Sequence, residues 1–171
     1  MARQPGCPWP ALLVLLAALA ALPGLAATAE GVYLYLYGAS WCPYCRSLDQ
    51  FFSQAYPGRY YFCKIDLHEG CRNSLRGLDE YLNKSKGVPS ELLEGIPQTL
   101  VVRDGRYLLA IVVGGVTEPR FWSEITSRSP QERVLLVVPP YAYEIRMTFD
   151  EQRELVSKYA PVAEGTGTPG P

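Results

Sequence analysis

Histidine, methionine and net charge are scarce in this chain. Its 171 residues include one histidine and two methionines, and 16 basic residues nearly balance 17 acidic ones, which leaves a net charge of −1. Because there is no basic excess, nucleic acid is not expected as a partner. The lack of histidine-rich or methionine-rich segments also argues against a dedicated metal site, and we expect neither a metal nor another cofactor.

Apolar runs of membrane-spanning length are absent as well. Residues 11–22 are uninterruptedly apolar, Arg3 precedes them, and Ala27-Thr28-Ala29 has the small-x-small pattern of a cleavage site. A spanning helix needs about 20 apolar residues, so this run is short for one. We predict that residues 1–29 are a signal peptide and that the mature chain is extracytoplasmic, either periplasmic or secreted. An uncleaved N-terminal membrane anchor is the alternative.

Cysteine is sparse, but its spacing is informative. Cys7 lies in the predicted signal peptide and would leave with it, and four cysteines remain: Cys42, Cys45, Cys63 and Cys71. Export permits disulfide chemistry. Cys63 and Cys71 are eight residues apart, and a structural disulfide between them is the favoured interpretation. Two buried free thiols, a second redox pair and metal ligation together with His68 are the alternatives.

Two cysteines stand two residues apart after a strand-like segment and at the start of a helix-like one, in the run Trp41-Cys42-Pro43-Tyr44-Cys45. A helix N-terminus favours a thiolate, so Cys42 is the predicted nucleophile. Cys45 lies one helical turn later on the same face, where it would resolve a mixed disulfide formed at Cys42. Pro43 suits the first helical turn. This pattern predicts a dithiol redox site.

The rest of the mature chain alternates between strand and helix patterns. Strands are predicted at residues 32–37 and 60–66, and helices at 42–55 and 72–84; a hairpin follows Pro97, and a last helix starts at Thr117. Taken alone, Pro97 is a proline at a strand start, and with the upstream cysteine pair it becomes a candidate cis proline facing the cysteines. The order predicts an α/β fold, with a central mixed β-sheet flanked by helices.

Residues 31–128 resemble the thioredoxin superfamily. The resemblance rests on Trp41 to Cys45, on Gly95-Ile96-Pro97, on the hairpin and on Gly114-Gly115, in that order. Pro43-Tyr44 between the cysteines is similar to glutaredoxins, whereas Trp41 and the exported context are more similar to bacterial or archaeal extracytoplasmic thioredoxin-like proteins. The resemblance implies a thioredoxin-like domain at residues 30–128, with Cys42 attacking, Cys45 resolving, Pro97 in cis and the Ile96 backbone docking the substrate chain.

Two positions depart from these families. Thioredoxins bury an acid six residues before the first cysteine, and here that residue is Leu36. Glutaredoxins hold glutathione partly through an acid after the glycine pair, which Glu118 matches only loosely, so glutathione is not the favoured cofactor. The resemblance thus implies an exported thiol:disulfide oxidoreductase that acts on cysteine-containing exported proteins and exchanges electrons with a membrane-bound redox partner. A non-catalytic binding or chaperone module and a Cu(I) metallochaperone are the alternatives.

The resemblance does not cover residues beyond 128. Residues 133–138 and 143–147 are predicted strands, and Thr148 with Glu151 forms a capping box for a helix that reaches about Tyr159. We predict that residues 129–160 form a C-terminal β-β-α extension packed on the main domain, since two strands and one helix make a marginal core alone. Residues 161–171 are rich in Gly, Pro and Thr and are predicted to be a disordered tail.

Overall fold

A computed structural model describes residues 31–160 of the chain. The predicted signal peptide with Cys7 and the predicted tail at 161–171 lie outside the described residues. The six strands are β1 Val32–Gly38, β2 Tyr60–Lys64, β3 Gln98–Arg103, β4 Tyr107–Val113, β5 Arg133–Val138 and β6 Tyr141–Arg146. The helices are α1 Pro43–Ala55, α2 Glu69–Lys86, α3 Pro119–Ser127 and α4 Phe149–Tyr159, and a single 3-10 turn lies at Ser90–Leu92. Among residues 31–160, no helix is long and apolar enough to cross a membrane.

The strands form one mixed sheet in the order β2-β1-β3-β4-β5-β6. β1 runs parallel to β2 and antiparallel to β3, β3 is antiparallel to β4, β4 is parallel to β5, and β5 is antiparallel to β6. The predicted α/β fold with a central mixed sheet is therefore confirmed. β1, β3 and β4 lie inside the sheet, and their runs of β-branched and large apolar residues are typical of strands covered on both faces.

Helices cover both faces of the sheet. On one face, Leu34 and Leu36 of β1 pack with Phe52 of α1 and Trp122 of α3, and the Phe52 and Trp122 rings meet edge to face with centroids 4.8 Å apart. On the other face, Tyr37 packs with side chains of α2 and α4. Alternate residues of β1 thus serve two cores, as the period of two in a strand requires.

Residues 129–160 complete the sheet and its second helix layer. β5 extends the sheet beside β4, Pro139-Pro140 is the two-residue turn into β6, and α4 packs against β4 and α2. The predicted capping box is present at the start of α4. The Tyr37 hydroxyl donates to the Tyr159 carbonyl at the end of α4, which ties α4 to the central strand. Gly77 allows α2 to approach α4 closely, because a Cβ at this position would lie 2.8 Å from the Tyr159 ring.

Several predicted boundaries were wrong. β1 ends at Gly38 rather than at residue 37, and β2 ends at Lys64 rather than at 66. α2 begins at Glu69 rather than at 72. Its N-cap residue, His68, makes no side-chain cap, so the sequence contains no capping signal for this start. α3 begins at Pro119 rather than at 117, and β6 begins at Tyr141 rather than at 143.

The amino end of β1 lies at the hairpin end of the sheet. The Gly31 N–H donates to Asp104 Oδ1 over 2.9 Å, and Asp104 stands in the turn between β3 and β4 with a φ of 54°. Aspartate is one of the few residues other than glycine that tolerate this conformation. The carboxyl end of β1, and with it the cysteine pair, therefore lies at the opposite end of the sheet.

Candidate active site

The ends of β1, β2 and β4 and the start of β3 lie side by side at one end of the sheet. Gly38 is paired with Lys64 of β2, and Tyr37 is paired with Gln98 of β3, which in turn is paired with Val113 of β4. The chain leaving β1 toward Cys42, the chain entering β3 through Pro97 and the chain leaving β4 at Gly114 therefore emerge side by side. The structure brings together segments that are more than 50 residues apart in the sequence.

Cys42 is the N-cap residue of α1. Its backbone is extended, with φ −72° and ψ 120°, and its Sγ accepts a hydrogen bond of 3.3 Å from the Cys45 N–H. Pro43 follows in the first turn, as predicted. The unpaired N–H groups and the positive end of the helix dipole favour a negative charge at this position, so a Cys42 thiolate would be stabilised where it stands.

Cys45 lies beneath Cys42 and is fully buried. Burial, and after it the hydrogen bond with the Cys42 side chain, raises the pKa of the Cys45 thiol to about 12. Gly38 makes this burial possible, because a Cβ on that residue would lie 2.7 Å from Cys45 Sγ and 3.0 Å from Cys45 Cβ. Both cysteines are buried, but Cys42 stands at the helix N-terminus, whereas Cys45 lies inside the first turn against Gly38.

Aromatic and glycine residues surround the cysteine pair. Trp41 and Tyr44 are 67% and 66% exposed, so the surface around Cys42 is formed by two large aromatic side chains. Gly115 lies against Tyr44, where a Cβ would come within 2.8 Å of Tyr44 Cβ. The predicted neighbours from the β3 segment are also here: Ile96 packs against the cysteines, the Ile96-Pro97 bond is cis, and the Gly114 N–H donates to the Pro97 carbonyl over 2.8 Å.

The side chains of Asp66 and Arg46 hold the loop before Cys42. The Asp66 carboxylate accepts hydrogen bonds from the backbone N–H of Ser40 (3.0 Å) and from its hydroxyl, and these bonds hold the pKa of Asp66 below its usual range. Arg46 donates to the carbonyls of Ser40 and Trp41, at 3.3 and 3.1 Å. Arg46 follows Cys45 directly in the sequence, and Asp66 is the last residue of the predicted strand 60–66.

A disulfide joins Cys63 at the end of β2 to Cys71 in the first turns of α2, with Cα atoms 5.4 Å apart. The alternative of two free thiols is therefore wrong for this pair. Within residues 31–160, no group of three or more histidine, cysteine or acidic residues is placed to hold a metal ion. His68 is the N-cap residue of α2 and makes no side-chain cap there.

Removing the Cys63–Cys71 disulfide is expected to destabilise the fold and to leave Cys42 and Cys45 unchanged. Closing a loop of eight residues restricts the unfolded chain enough to contribute about 2–3 kcal/mol in the chain-entropy model. We expect the double change Cys63→Ala with Cys71→Ala to lower the free energy of unfolding by that amount in urea denaturation. Unchanged stability would show that the bond does not constrain the unfolded chain. Counting of labelled thiols under native conditions should still give the Cys42–Cys45 pair.

A cavity of about 480 Å³ opens beside the cysteines, between α2 and the segment that leads into β3. Ile65 and Ile96 line it and also pack against the cysteine pair, so they form the wall between the two sites. Asp79 of α2 and Gln98 of β3 line it as well, and the buried oxygens Asp79 Oδ1 and Gln98 Oε1 have no hydrogen-bond partner. A buried acceptor without a partner costs about 1–3 kcal/mol. The cavity was not predicted from the sequence.

Asp79→Asn is expected to stabilise the protein at neutral pH. Burial raises the pKa of Asp79 to about 6, and the hydrogen bond with the Gln98 side chain opposes part of this rise. Because the pKa is raised in the folded state, the charged carboxylate is destabilising above pH 6, and this effect disappears below the usual aspartate pKa of about 3.9. After allowing for solvent screening of this half-buried group, we expect the free energy of unfolding of Asp79→Asn to exceed that of the wild type by on the order of 1 kcal/mol at pH 7.5.

Urea unfolding of both proteins at pH 7.5 and pH 4 measures this gain. It should shrink toward zero at pH 4, where the wild-type carboxyl is largely neutral. An equal gain at both pH values would show that the charge of Asp79 is not its cause.

Compared with known proteins, the chain matches no family model, no curated protein and no solved structure.

Proposed function

We propose that this protein is an exported thiol:disulfide oxidoreductase of thioredoxin-like fold. The observation that carries the proposal is the pairing of Cys42, at the N-cap of α1, with Cys45, buried one turn further on and donating its N–H to Cys42 Sγ. This arrangement provides an attacking thiol at a position that stabilises its thiolate and a second thiol within one helical turn for resolution.

In the reducing direction, the reaction has two exchange steps. The Cys42 thiolate attacks one sulfur of a client disulfide, which forms a mixed disulfide and releases the other client sulfur as a thiolate. Cys45 then gives up its proton to solvent and attacks Cys42 Sγ, so that the Cys42–Cys45 bond forms and the second client thiolate leaves. The client gains two electrons and takes up two protons from solvent, and this protein, counted from its dithiol form, loses two electrons and releases two protons. The oxidising direction is the reverse.

The order of elements supports the thioredoxin-like assignment. From β1 to α3 the chain follows β-α-β-α-β-β-α, with strand order β2-β1-β3-β4 and β3 as the antiparallel neighbour of β1. The cysteine pair follows the central strand, and the Ile96-Pro97 segment faces it. In this proposal, Pro97 and the Ile96 backbone dock the client chain, with Trp41 and Tyr44 as the exposed aromatic surface beside it.

The proposed partners are cysteine-containing exported proteins and a membrane-bound redox partner that restores the starting state. The direction of exchange depends on the reduction potential of the Cys42–Cys45 pair, which is set by how strongly the fold stabilises the Cys42 thiolate.

Equilibration of the purified chain against glutathione buffers, followed by alkylation and mass measurement, tests the proposal. We expect Cys42 and Cys45 to interconvert as one two-electron couple while the buried Cys63–Cys71 bond stays oxidised. A potential near −270 mV would indicate a reductant, and one near −120 mV an oxidant, these being roughly the values of thioredoxin and of a strong oxidant.

Alkylation under mild reductant and a Cu(I) binding measurement distinguish the alternative functions. If mild reductant never exposes Cys42 to alkylation ahead of Cys63 and Cys71, the pair is a permanent disulfide, and the protein is a binding or chaperone module whose aromatic surface holds clients. Stoichiometric Cu(I) binding that is abolished by Cys42→Ser, without redox exchange, would instead indicate a metallochaperone.

A further inference from the structure

The cavity beside the cysteine pair combines apolar walls with unpartnered acceptors. The walls are Ile65, Leu75, Leu93 and Ile96. Deeper in the cavity, Gln98 is fully buried, and its Nε2 already donates to the Leu93 carbonyl over 2.7 Å, which fixes the amide and leaves Oε1 facing no donor. Asp79 Oδ1 is the second buried oxygen without a partner. Two acceptors in an apolar cavity call for a ligand that donates hydrogen bonds.

The charge of the lining specifies the ligand further. Three carboxylates line the cavity, those of Asp79, Glu80 and Glu94, against one ammonium, that of Lys84. Lys84 is bonded to Glu80 at 3.2 Å on the exposed side of α2, so it does not neutralise Asp79. The site therefore suits a cation with several donors.

We propose that this cavity binds a lysine or arginine side chain of the client polypeptide, close in sequence to the cysteine that is exchanged. This inference rests on the proposed function and names its substrate class. The aliphatic stem of a basic side chain would lie along the isoleucine and leucine walls, and its head group would donate to Asp79 and Gln98. A volume of about 480 Å³ is within the range of ligand sites and leaves room for the flanking client backbone.

The distance between the two sites sets the client spacing. Ile65 and Ile96 pack against the cluster of Ala39, Cys42 and Cys45 and also line the cavity, so one layer of side chains lies between the two sites. An extended chain advances about 3.3 Å per residue, so a basic residue about two to four positions from the client cysteine reaches the cavity.

Matched peptides test the inference. Each peptide carries one cysteine as a mixed disulfide with a chromophoric thiol, and an arginine or a citrulline three residues away; citrulline has the shape of arginine without its charge. We expect the chain to cleave the arginine peptide with a kcat/KM roughly ten- to a hundredfold higher, the effect of a charge-assisted hydrogen bond in a buried site. Asp79→Asn should bring the ratio of the two kcat/KM values close to one.

Glu124→Gln is the matched control, because it removes the same charge from an exposed carboxylate on α3 that does not line the cavity. It should retain the preference. If it abolishes the preference as Asp79→Asn does, or if the wild-type chain treats both peptides alike, the inference is wrong.

A binding measurement separates this inference from the proposed function. Peptides with serine in place of cysteine cannot exchange, so the arginine form should bind the wild-type chain more tightly than the citrulline form by the same factor in calorimetry, even if no redox activity exists. Equal binding would overturn the inference, whereas preferential binding without any exchange would overturn the proposed function alone.

The preference should also weaken from pH 7 to pH 5, because burial places the pKa of Asp79 near 6. The other charged groups lining the cavity are Glu80, Lys84 and Glu94. In Asp79→Asn the ratio should not change with pH, and a wild-type ratio that stays constant would count against Asp79 as the recognising group.

Discussion

Replacing Cys42 with serine is expected to abolish disulfide exchange, whereas replacing Cys45 with serine is expected to stop the reaction halfway. Serine at the N-cap keeps a hydrogen-bond acceptor for α1 but supplies no thiolate, so the first attack is lost. We expect the rate of insulin or peptide disulfide reduction to fall by about a thousandfold or more in Cys42→Ser. Cys45→Ser retains the attacking thiol and should accumulate a mixed disulfide with the client, visible on non-reducing gels and by mass.

The control for this series is the double change Cys63→Ser with Cys71→Ser, which removes two cysteines but leaves the proposed pair intact. It should retain exchange activity at temperatures where it stays folded. If Cys42→Ser keeps more than a few per cent of the wild-type rate, or if the captured client is attached elsewhere, the assignment of Cys42 fails.

In the wild-type chain, burial raises the pKa of Cys45 to about 12, so the resolving step should accelerate as pH rises toward 9 and more Cys45 becomes thiolate. Quenching the reaction with acid at successive times, across a pH series, measures the lifetime of the mixed disulfide. A lifetime that does not shorten with pH would show that deprotonation of Cys45 does not limit resolution.

Gly38→Ala is the second change with a large expected effect. The new methyl group would lie 2.7 Å from Cys45 Sγ, 3.0 Å from Cys45 Cβ and 3.2 Å from the Phe62 ring, and Cys45 is fully buried. Overpacking of this kind typically costs about 1–3 kcal/mol. We expect that loss in urea unfolding, together with a longer-lived mixed disulfide, because Cys45 is pushed away from its place under Cys42.

Gly70→Ala provides the matched control. Gly70 lies in the first turn of α2, and a Cβ there meets nothing within 4 Å, so the same chemical change should leave stability unchanged or raise it by about 0.5–1 kcal/mol through helix propensity. Equal stabilities of the two variants would show that Gly38 is not needed for packing against Cys45.

Most secondary structure could be predicted from local patterns. The apolar run of β1, the i, i+3, i+4 positions of α1, the turn between β3 and β4 and the capping box of α4 each depend on a few neighbouring residues, and each is present in the structure. The start of α2 was predicted too late because nothing near His68 marks it. The start of β6 was predicted two residues too late, because Pro139-Pro140 alone forms the turn and β6 begins directly after it.

The cysteine pair could be found from spacing, but its surroundings could not. Gly38 resembled a turn glycine, whereas its role depends on a contact with Cys45 across the β1–α1 connection. Asp79 and Gln98 lie on different elements, and only the packing of α2 beside β3 brings them to one cavity. A half-buried aspartate on an amphipathic helix has no local signature, since the apolar stripe of α2 is read from its leucines. Such sites depend on tertiary contacts rather than on periodicity.

The hydrogen bond between Gly31 and Asp104 places the start of the described chain at the end of the sheet remote from Cys42. β1 has seven residues, so the two points are separated by about 20 Å. An attachment made at Gly31, to a lipid surface, a resin or a fusion partner, would hold the protein at the end of the sheet opposite Cys42. Its thiol end would then project outward, and immobilised protein should capture clients as well as free protein does.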